Sequence, residues 1–348
     1  MRRQCKVGNR VKRKGSRWLP LAVLSWMLVL TGCAQEKVAR RQEAAPSVIV
    51  VTTKPGGPLL IKTPAAEFEV FLTGDLQAYL LKDGKRLTLD EPKRDAGGDY
   101  ATVGGKEIRD FALDLDHAQV SAPQGRLGPR GRRIEINGRP TVAGGPSLEK
   151  TLTLEVYDDF PNLALTTVAY KNRGSEEWKI DAIATQSHRL NASLADPQAP
   201  PYDVWSFQGS SSEWGNDEVV RLSRNFSRVN VMGGISPHGH GGGIPVVAFW
   251  TGSLGVAIGH LETLPLVISI PVKVDKDGRI AAGLSIEPAV SVKPGEAYTT
   301  PVSFVAVYAG DYYDALSMYS RAMQRQGWKV ASPTKDDFSA NWCGWGYR

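Results

Sequence analysis

The chain has 348 residues, of which 42% are hydrophobic and 22% charged, and its formal net charge is +6. This composition is that of a globular protein and excludes wholesale disorder. The positive charge is concentrated in residues 1–32, which hold eight basic residues and no acidic one, so the rest of the chain carries a net charge of −2. A nucleic-acid partner is therefore not expected.

The N-terminus has the pattern of an export signal. Residues 1–18 are basic and polar, and Leu19–Leu30 form an apolar run too short to span a bilayer, which takes about 20 residues. The residues Leu-Thr-Gly-Cys that end at Cys33 resemble the lipobox of bacterial lipoproteins, which implies cleavage before Cys33 and a lipid on its thiol. A plain secretory signal with an incidental cysteine is the alternative.

This pattern predicts an exported protein anchored in a bacterial membrane, in the periplasm or on the outer surface. Residues 1–32 are the expected signal peptide, and the polar residues 33–57 are the expected flexible tether. Cys5 lies in the signal, Cys33 is the predicted lipid attachment site, and Cys343 stands alone. No intramolecular disulfide is therefore expected.

Residues 58–309 have the pattern of short antiparallel strands. Lys82-Asp83-Gly84-Lys85 separates two apolar runs, and Asp-Gly favours a hairpin because both central residues take positive φ. Asn137-Gly138 and Asp277-Gly278 predict further hairpins by the same reasoning. About 250 such residues are many for a simple sandwich, so we expect an antiparallel β super-sandwich.

The clearest pair of strands lies near the middle of this region. Apolar and polar residues alternate with period two over Thr151–Val156. Residues 158–162 then predict a turn, and residues 163–170 a second strand that ends at Lys171–Gly174.

A single helix is predicted after residue 310. Asp311 is the expected N-cap, and Asp314 places a second carboxylate at the positive end of the helix dipole. Apolar side chains then recur at helical spacing, and Gly327 is the expected end. The apolar stripe consists of Tyr312, Leu316, Tyr319 and Met323.

Three segments together resemble a known family. Asn341-Trp342-Cys343-Gly344-Trp345 resembles the first barrel strand of the α-galactosidase clan, particularly glycoside hydrolase family 36 and its raffinose-synthase relatives. Residues 310–316 are similar to the linker helix before that barrel, and residues 154–161 to a turn of the galactose-mutarotase-like super-sandwich that precedes it. Gly344 and Gly346 depart from the family pattern and leave the substrate type open.

The resemblance implies a mainly β chain with three parts. These are a super-sandwich over residues 58–309, a linker helix and loop over residues 310–337, and the first strand of a truncated (β/α)8 barrel over residues 338–348. Because a barrel takes about 250 residues, the chain is expected to be the N-terminal fragment of a hydrolase. Retaining hydrolysis uses two Asp carboxylates, which lie on later barrel strands, so no catalytic residue is assigned here.

The function implied is that of a lipid-anchored retaining glycoside hydrolase acting on α-galactosides or related α-linked sugars, with this chain alone inactive. The alternative is a non-catalytic envelope lipoprotein whose sandwich binds glycan or a protein. Trp345 matches the family's sugar-lining Trp. Trp205 and Trp214 lie in a polar segment, residues 205–217, interpreted as a loop, where they would either form a stacking wall for sugar or be tucked under the loop.

The histidines do not indicate a metal centre. His238 and His240 lie in a Gly-rich segment with no further His or Cys nearby, whereas zinc needs three or four ligands. His117, His188 and His260 lie in strand-like surroundings and are interpreted as structural. Neither a metal nor a cofactor is expected; the expected partners are a carbohydrate substrate and, through the lipid, a membrane.

Overall fold

The computed structural model describes residues 46–91, 98–109, 111–141, 147–210, 217–230, 239–240, 244–252, 254–264 and 266–329. These residues contain 24 β-strands, two 3-10 turns (Leu115–His117 and Ala192–Leu194) and one α-helix. The first twelve strands are β1 Val50–Thr53, β2 Leu59–Lys62, β3 Ala66–Val70, β4 Leu76–Lys82, β5 Lys85–Leu87, β6 Tyr100–Val103, β7 Lys106–Ile108, β8 Phe111–Leu113, β9 Gln119–Ser121, β10 Gly131–Pro140, β11 Leu148–Tyr157 and β12 Phe160–Asn172. The remaining elements are β13 Trp178–Leu190, β14 Trp205–Ser210, β15 Asp217–Arg221, β16 Ser227–Asn230, β17 Gly239–His240, β18 Val246–Thr251, β19 Leu254–His260, β20 Ile268–Val274, β21 Ile280–Ile286, β22 Val290–Val292, β23 Ala297–Thr299, β24 Ser303–Tyr308 and helix α1 Tyr312–Arg325.

The described strands form three sheets. A five-stranded sheet has the order β1-β2-β3-β4-β5. An eleven-stranded sheet has the order β15-β14-β18-β19-β24-β12-β11-β10-β8, with β23 beside β12 and β9 beside β10. An eight-stranded sheet has the order β17-β16-β20-β21-β13-β6-β7, with β22 beside β13. Apart from the short parallel pair β16–β17, the described pairings are antiparallel, which confirms the predicted antiparallel β architecture.

Two hydrophobic cores lie on opposite faces of the eleven-stranded sheet. Val305 and Val307 of β24 belong to the larger core, which also takes side chains from the other two sheets. Phe304 and Tyr308, on the opposite face of the same strand, belong to a second core, which includes Met318 of α1. Because side chains alternate between the two faces of a strand, β24 contributes to both cores. Its side chains are apolar on both faces because helix α1 covers the face that carries Phe304 and Tyr308.

Helix α1 forms where the sequence predicts it. The Asp311 side chain accepts from the backbone N–H of Tyr313 at 2.9 Å, and the Asp314 carboxylate accepts from the backbone N–H of Asp311. These two hydrogen bonds are a capping box. At the other end Gly327 has φ +95, and its backbone N–H donates to the carbonyl of Gln324 at 3.0 Å. The predicted start and stop signals are both confirmed.

Most of the predicted turns are confirmed. Asp83 (φ 50) and Gly84 (φ 72) take the left-handed conformation between β4 and β5. The turn containing Asp277 and Gly278 joins β20 to β21. The predicted pair of strands around residues 151–170 is β11 and β12, and their turn is tighter than expected, because β12 already begins at Phe160.

The prediction of a hairpin at Asn137-Gly138 is wrong. Both residues lie inside β10, where Gly138 pairs with Leu113 on one side and Lys150 on the other. A Cβ at Gly138 would collide with the side chain of Leu113. The glycine is therefore explained by the close approach of a neighbouring strand rather than by a turn.

The predicted tether, residues 33–57, extends too far along the chain. Ile49 is buried, and strand β1, which lies inside the predicted tether, pairs with β2. The Ser47 hydroxyl also donates to the Asp158 carboxylate at 2.6 Å. The folded part thus begins before residue 58, since this apolar segment completes the edge of the five-stranded sheet. The signal peptide and the predicted barrel strand, residues 338–348, lie outside the described residues.

Candidate functional site

Of the four residues predicted to form functional sites, Trp205 alone lies in the part of the chain that the structure describes. It is at the start of β14, and 44% of its surface is exposed. Cys33, Trp214 and Trp345 lie outside the described residues, so their assignments stay predictions.

Trp205 belongs to a group of aromatic residues at the N-terminal end of α1. It pairs with Trp250 of β18, so the two side chains lie on the same face of the sheet. The ring of Tyr312 packs on this face, with its centroid 5.6 Å from that of Trp250 and 5.2 Å from that of Phe207. The ring of Tyr313 lies 4.2 Å from that of Tyr312 and is 65% exposed. We call these five residues the aromatic surface.

Local sequence explains how the aromatic surface is assembled. In β14, Trp205 and Phe207 alternate with Ser206, which puts both rings on the face that carries the helix. The capping box at Asp311 fixes the helix start, and this positions Tyr312 against the sheet. Exposed indole and phenol rings offer flat apolar faces with a polar edge, which is the chemistry that stacks against the apolar face of a sugar.

The interpretation of residues 205–217 as a loop is wrong for its first part. Trp205–Ser210 is strand β14, and the polar side chains of Ser206 and Gln208 are buried. The Ser206 hydroxyl donates to the carbonyl of Ala248 at 3.0 Å, and the Gln208 amide donates to that hydroxyl at 2.6 Å. One hydrogen bond to the neighbouring strand and one within β14 therefore allow a polar segment to form a buried strand.

A buried polar network links the eight-stranded and eleven-stranded sheets. The His188 Nδ1 lies 2.5 Å from the Asp90 carboxylate, and its Nε2 lies 2.9 Å from the Gln186 amide oxygen. The Gln186 amide then donates to the Thr166 hydroxyl at 2.6 Å, and that hydroxyl lies 2.7 Å from the Ser303 hydroxyl. His188 thus has a structural role, as predicted, but its carboxylate partner is 98 positions away and has no local sequence signal.

The other two predicted structural histidines differ from each other. His260 is buried at the end of β19. Burial lowers its pKa to about 4, and this effect outweighs the negative charge of Glu262, which raises the pKa. His117 lies in a 3-10 turn instead of a strand, and its side chain is 83% exposed. The hydrogen bond that its ring makes to the Asp114 carboxylate raises the pKa of His117.

The described residues contain no group of three or more His, Cys, Asp or Glu side chains arranged to hold a metal ion. Of the Gly-rich segment around His238 and His240, the structure describes Gly239–His240 as strand β17, beside β16. No helix in the described ranges is long and apolar enough to cross a membrane.

Comparison with known proteins gives the family context. No protein-family profile matches the chain. In sequence, it is 24% identical over 256 residues to the A type blood α-D-galactosamine galactosaminidase of Flavonifractor plautii, an alignment that covers 70% of this chain and 22% of that enzyme.

Solved structures extend this comparison. The galactosidase domain of the α-galactosidase-sucrose kinase AgaSK superposes with a TM-score of 0.52 at 12% identity, over 75% of this chain and 42% of that one. The α-N-acetylgalactosaminidase NagBb of Bifidobacterium bifidum gives 0.52 at 10% identity, over 77% and 39% of the two chains. The family 36 α-galactosidase AgaB of Geobacillus stearothermophilus gives 0.50 at 14% identity, over 75% and 41%.

The chain thus spans less than half the length of each of these relatives. At these identities the likeness concerns the fold, and it confirms the resemblance that the sequence indicates. The chain shares its β-sandwich fold with α-galactosidases of glycoside hydrolase family 36.

Proposed function

We propose that this chain is the β-sandwich part of a retaining glycoside hydrolase that acts on α-galactosides or related α-linked sugars, N-acetyl-α-galactosaminides included. The observation that carries the proposal is the shared fold, with a TM-score of 0.52 to both a galactosidase domain and an N-acetylgalactosaminidase. The sequence relative is also a galactosaminidase. Since each of these proteins is more than twice as long as the matched region, the catalytic groups belong to the remainder of such an enzyme.

The described carboxylates support a non-catalytic role for this chain alone. A retaining glycosidase needs two carboxyl groups about 5–5.5 Å apart across a sugar-binding cleft. The buried carboxylates here are instead engaged in structural hydrogen bonds. Asp90 contacts His188, Asp99 accepts a backbone N–H at 3.0 Å, and Glu155 accepts from the Tyr157 hydroxyl at 2.7 Å.

The first experiment is to sequence the locus beyond codon 348 and to express both the 348-residue chain and any longer product. Both are assayed with 4-nitrophenyl α-galactoside and 4-nitrophenyl N-acetyl-α-galactosaminide. We expect turnover by the longer product and none by the shorter. Turnover by the 348-residue chain would contradict the non-catalytic assignment, and a locus without barrel strands would remove the hydrolase assignment.

We also propose that Cys33 carries a lipid that holds the protein at the cell envelope. The support is the lipobox-like sequence before Cys33 and the basic, then apolar, residues that precede it. Labelling of cells with a radioactive fatty acid should tag the wild-type protein but not a Cys33→Ser variant, which should also leave the membrane fraction. Equal labelling of both proteins would refute the lipid site.

The aromatic surface favours a second candidate function, non-catalytic glycan binding by an envelope lipoprotein. Its specific observation is the exposure of Trp205, which pairs with Trp250, and of Tyr313, which packs on Tyr312. Retention of the chain on an immobilised α-galactoside should fall about tenfold for Trp205→Ala, the loss expected for one stacking contact of about 1.4 kcal/mol. Unchanged retention would exclude this surface as a glycan site.

A further inference from the structure

A groove of about 360 Å³ lies on the outer face of the eight-stranded sheet. Small-molecule sites span about 300–1,000 Å³, so its size suits a ligand of one or two sugar rings. The groove belongs to a different sheet from the aromatic surface. Its lining comes from β6, β13, β20 and β21 and includes Tyr100, Ala184, Lys273, Ala281, Gly283 and Ser285.

The floor of the groove is irregular backbone. The ladder between β20 and β21 pairs Ser269 with Ser285 and resumes in the same register at Val272 with Ala282, and the residues between are not paired with each other. Pro271 lies in this gap and has no N–H to donate to the ladder. On the other side of β21, β13 carries a bulge between Thr185 and His188. The missing pairing on one side of β21 and the bulge on the other interrupt the regular pleat of the sheet beneath the groove.

The floor is also flat, because its residues are small. A Cβ on Gly283 would come within 3.3 Å of the Gln186 carbonyl oxygen and the Ser187 Cα, so the strands approach closely there. Ala184 and Ala281 flank this position. A flat apolar floor of this kind matches the apolar face of a pyranose ring.

One wall of the groove is an oriented aromatic ring. The guanidinium of Arg109 lies 4.3 Å from the ring centroid of Tyr100, and Arg109 is itself paired with Glu107. Cation–π packing restrains the ring and so reduces the entropy lost when a ligand binds against it.

The charges around the groove select a neutral ligand. Arg189, which lines it, lies 2.9 Å from Asp275 and 3.5 Å from Asp277, and these two carboxylates offset the positive charges of Arg189 and Lys273. Lys273 and Ser285 are left to donate hydrogen bonds at the rim. A balanced rim above an apolar floor fits a neutral polyol with one apolar face better than it fits an anion or a hydrocarbon.

We propose that this groove is a carbohydrate-binding site for a neutral galactoside unit, separate from any catalytic centre. That the ligand is a sugar follows from the shape and chemistry of the groove, whereas its identity as a galactoside rests on the proposed function. Such a site would hold a glycan chain near the enzyme by a second attachment point.

The test uses the full chain and measures binding of galactose, N-acetylgalactosamine and raffinose, with glucose and mannose as neutral sugars that are not galactosides, by saturation-transfer NMR and calorimetry. Ala281 is exposed, so Ala281→Trp fills the groove without entering the core. The matched control is Ala297→Trp, the same change at an exposed strand position of the eleven-stranded sheet. We expect binding by the wild type and the control, a loss of at least tenfold for Ala281→Trp, and a smaller loss for Tyr100→Ala.

Two outcomes would overturn the proposal. These are the absence of binding to every sugar tested and unchanged binding by Ala281→Trp. If binding is unchanged in Ala281→Trp but lost in Trp205→Ala, the sugar lies on the aromatic surface. Binding of other neutral sugars but not galactosides would overturn the galactoside assignment. None of these results depends on hydrolysis, so a failure of the hydrolase proposal is recognised separately by the nitrophenyl assays.

Discussion

Acid should destabilise this protein through His260. The side chain is 7% exposed, its Nδ1 has no hydrogen-bond partner among the described residues, and burial lowers its pKa from 6.5 to about 4. At pH values between about 4 and 6.5, His260 binds a proton in the unfolded chain but not in the folded chain. The contribution to stability is therefore fully present above about pH 6.5 and is lost as the pH falls towards 4.

The size of this effect follows from the difference in pKa. A gap of about 2.5 units at about 1.36 kcal/mol per unit gives about 3 kcal/mol between pH 7 and pH 4. This is a large part of the stability of a typical domain, which is about 5–15 kcal/mol. Replacement of His260 by Leu removes the titrating group, and the unpartnered Nδ1 means that no hydrogen bond of that atom is lost.

The assay is urea unfolding followed by tryptophan fluorescence at several pH values from 4 to 7.5. We expect the free energy of unfolding of the wild type to fall relative to that of His260→Leu by about 3 kcal/mol across this range. The matched control is His117→Gln. His117 is exposed and its pKa is raised instead of lowered, so this variant should keep the acid sensitivity of the wild type. Parallel pH profiles for the wild type and His260→Leu would refute the argument.

Two further predictions concern packing and the buried network. Gly255→Val should destabilise the fold by about 1–3 kcal/mol or more, because a Cβ there collides with the ring of Tyr308. The control is Gly252→Ala, whose added Cβ meets nothing within 4 Å. Equal melting temperatures for the two variants would contradict the packing argument. His188→Leu should cost about 3–5 kcal/mol in urea unfolding because it leaves the Asp90 carboxylate buried without its partner. The double variant with Asp90→Leu should recover part of that loss, and a double variant less stable than the single one would show that the charge left behind is not the cause.

Local chemistry accounts for what could be read from the sequence. The capping box at Asp311, the left-handed turn at Asp83-Gly84 and the period-two pattern over Thr151–Val156 each depend on residues a few positions apart. Such signals act within one element, so they identify its type and its ends without knowledge of the rest of the molecule. The same holds for the resemblance to family 36, which rests on short segments and is confirmed by the fold.

Contacts between distant segments account for what the sequence misjudged. Asn137-Gly138 has the composition of a turn, but the approach of Leu113 makes the glycine necessary inside a strand. Ser206 and Gln208 have the composition of a loop, but in the buried strand Ser206 donates to the carbonyl of Ala248 on the neighbouring strand, and Gln208 donates to Ser206.

The candidate sites divide in the same way. The sequence by itself determined that the chain is strand-rich with one late helix, that its strands pair antiparallel, and that Trp205 is an aromatic residue in a polar context. Only the tertiary structure decided that Trp205 lies beside Trp250, that Asp90 meets His188, and that the eight-stranded sheet has a groove. Each of these depends on which strands become neighbours and in which register. Pairing energies between segments far apart in the chain leave no periodic trace in either segment.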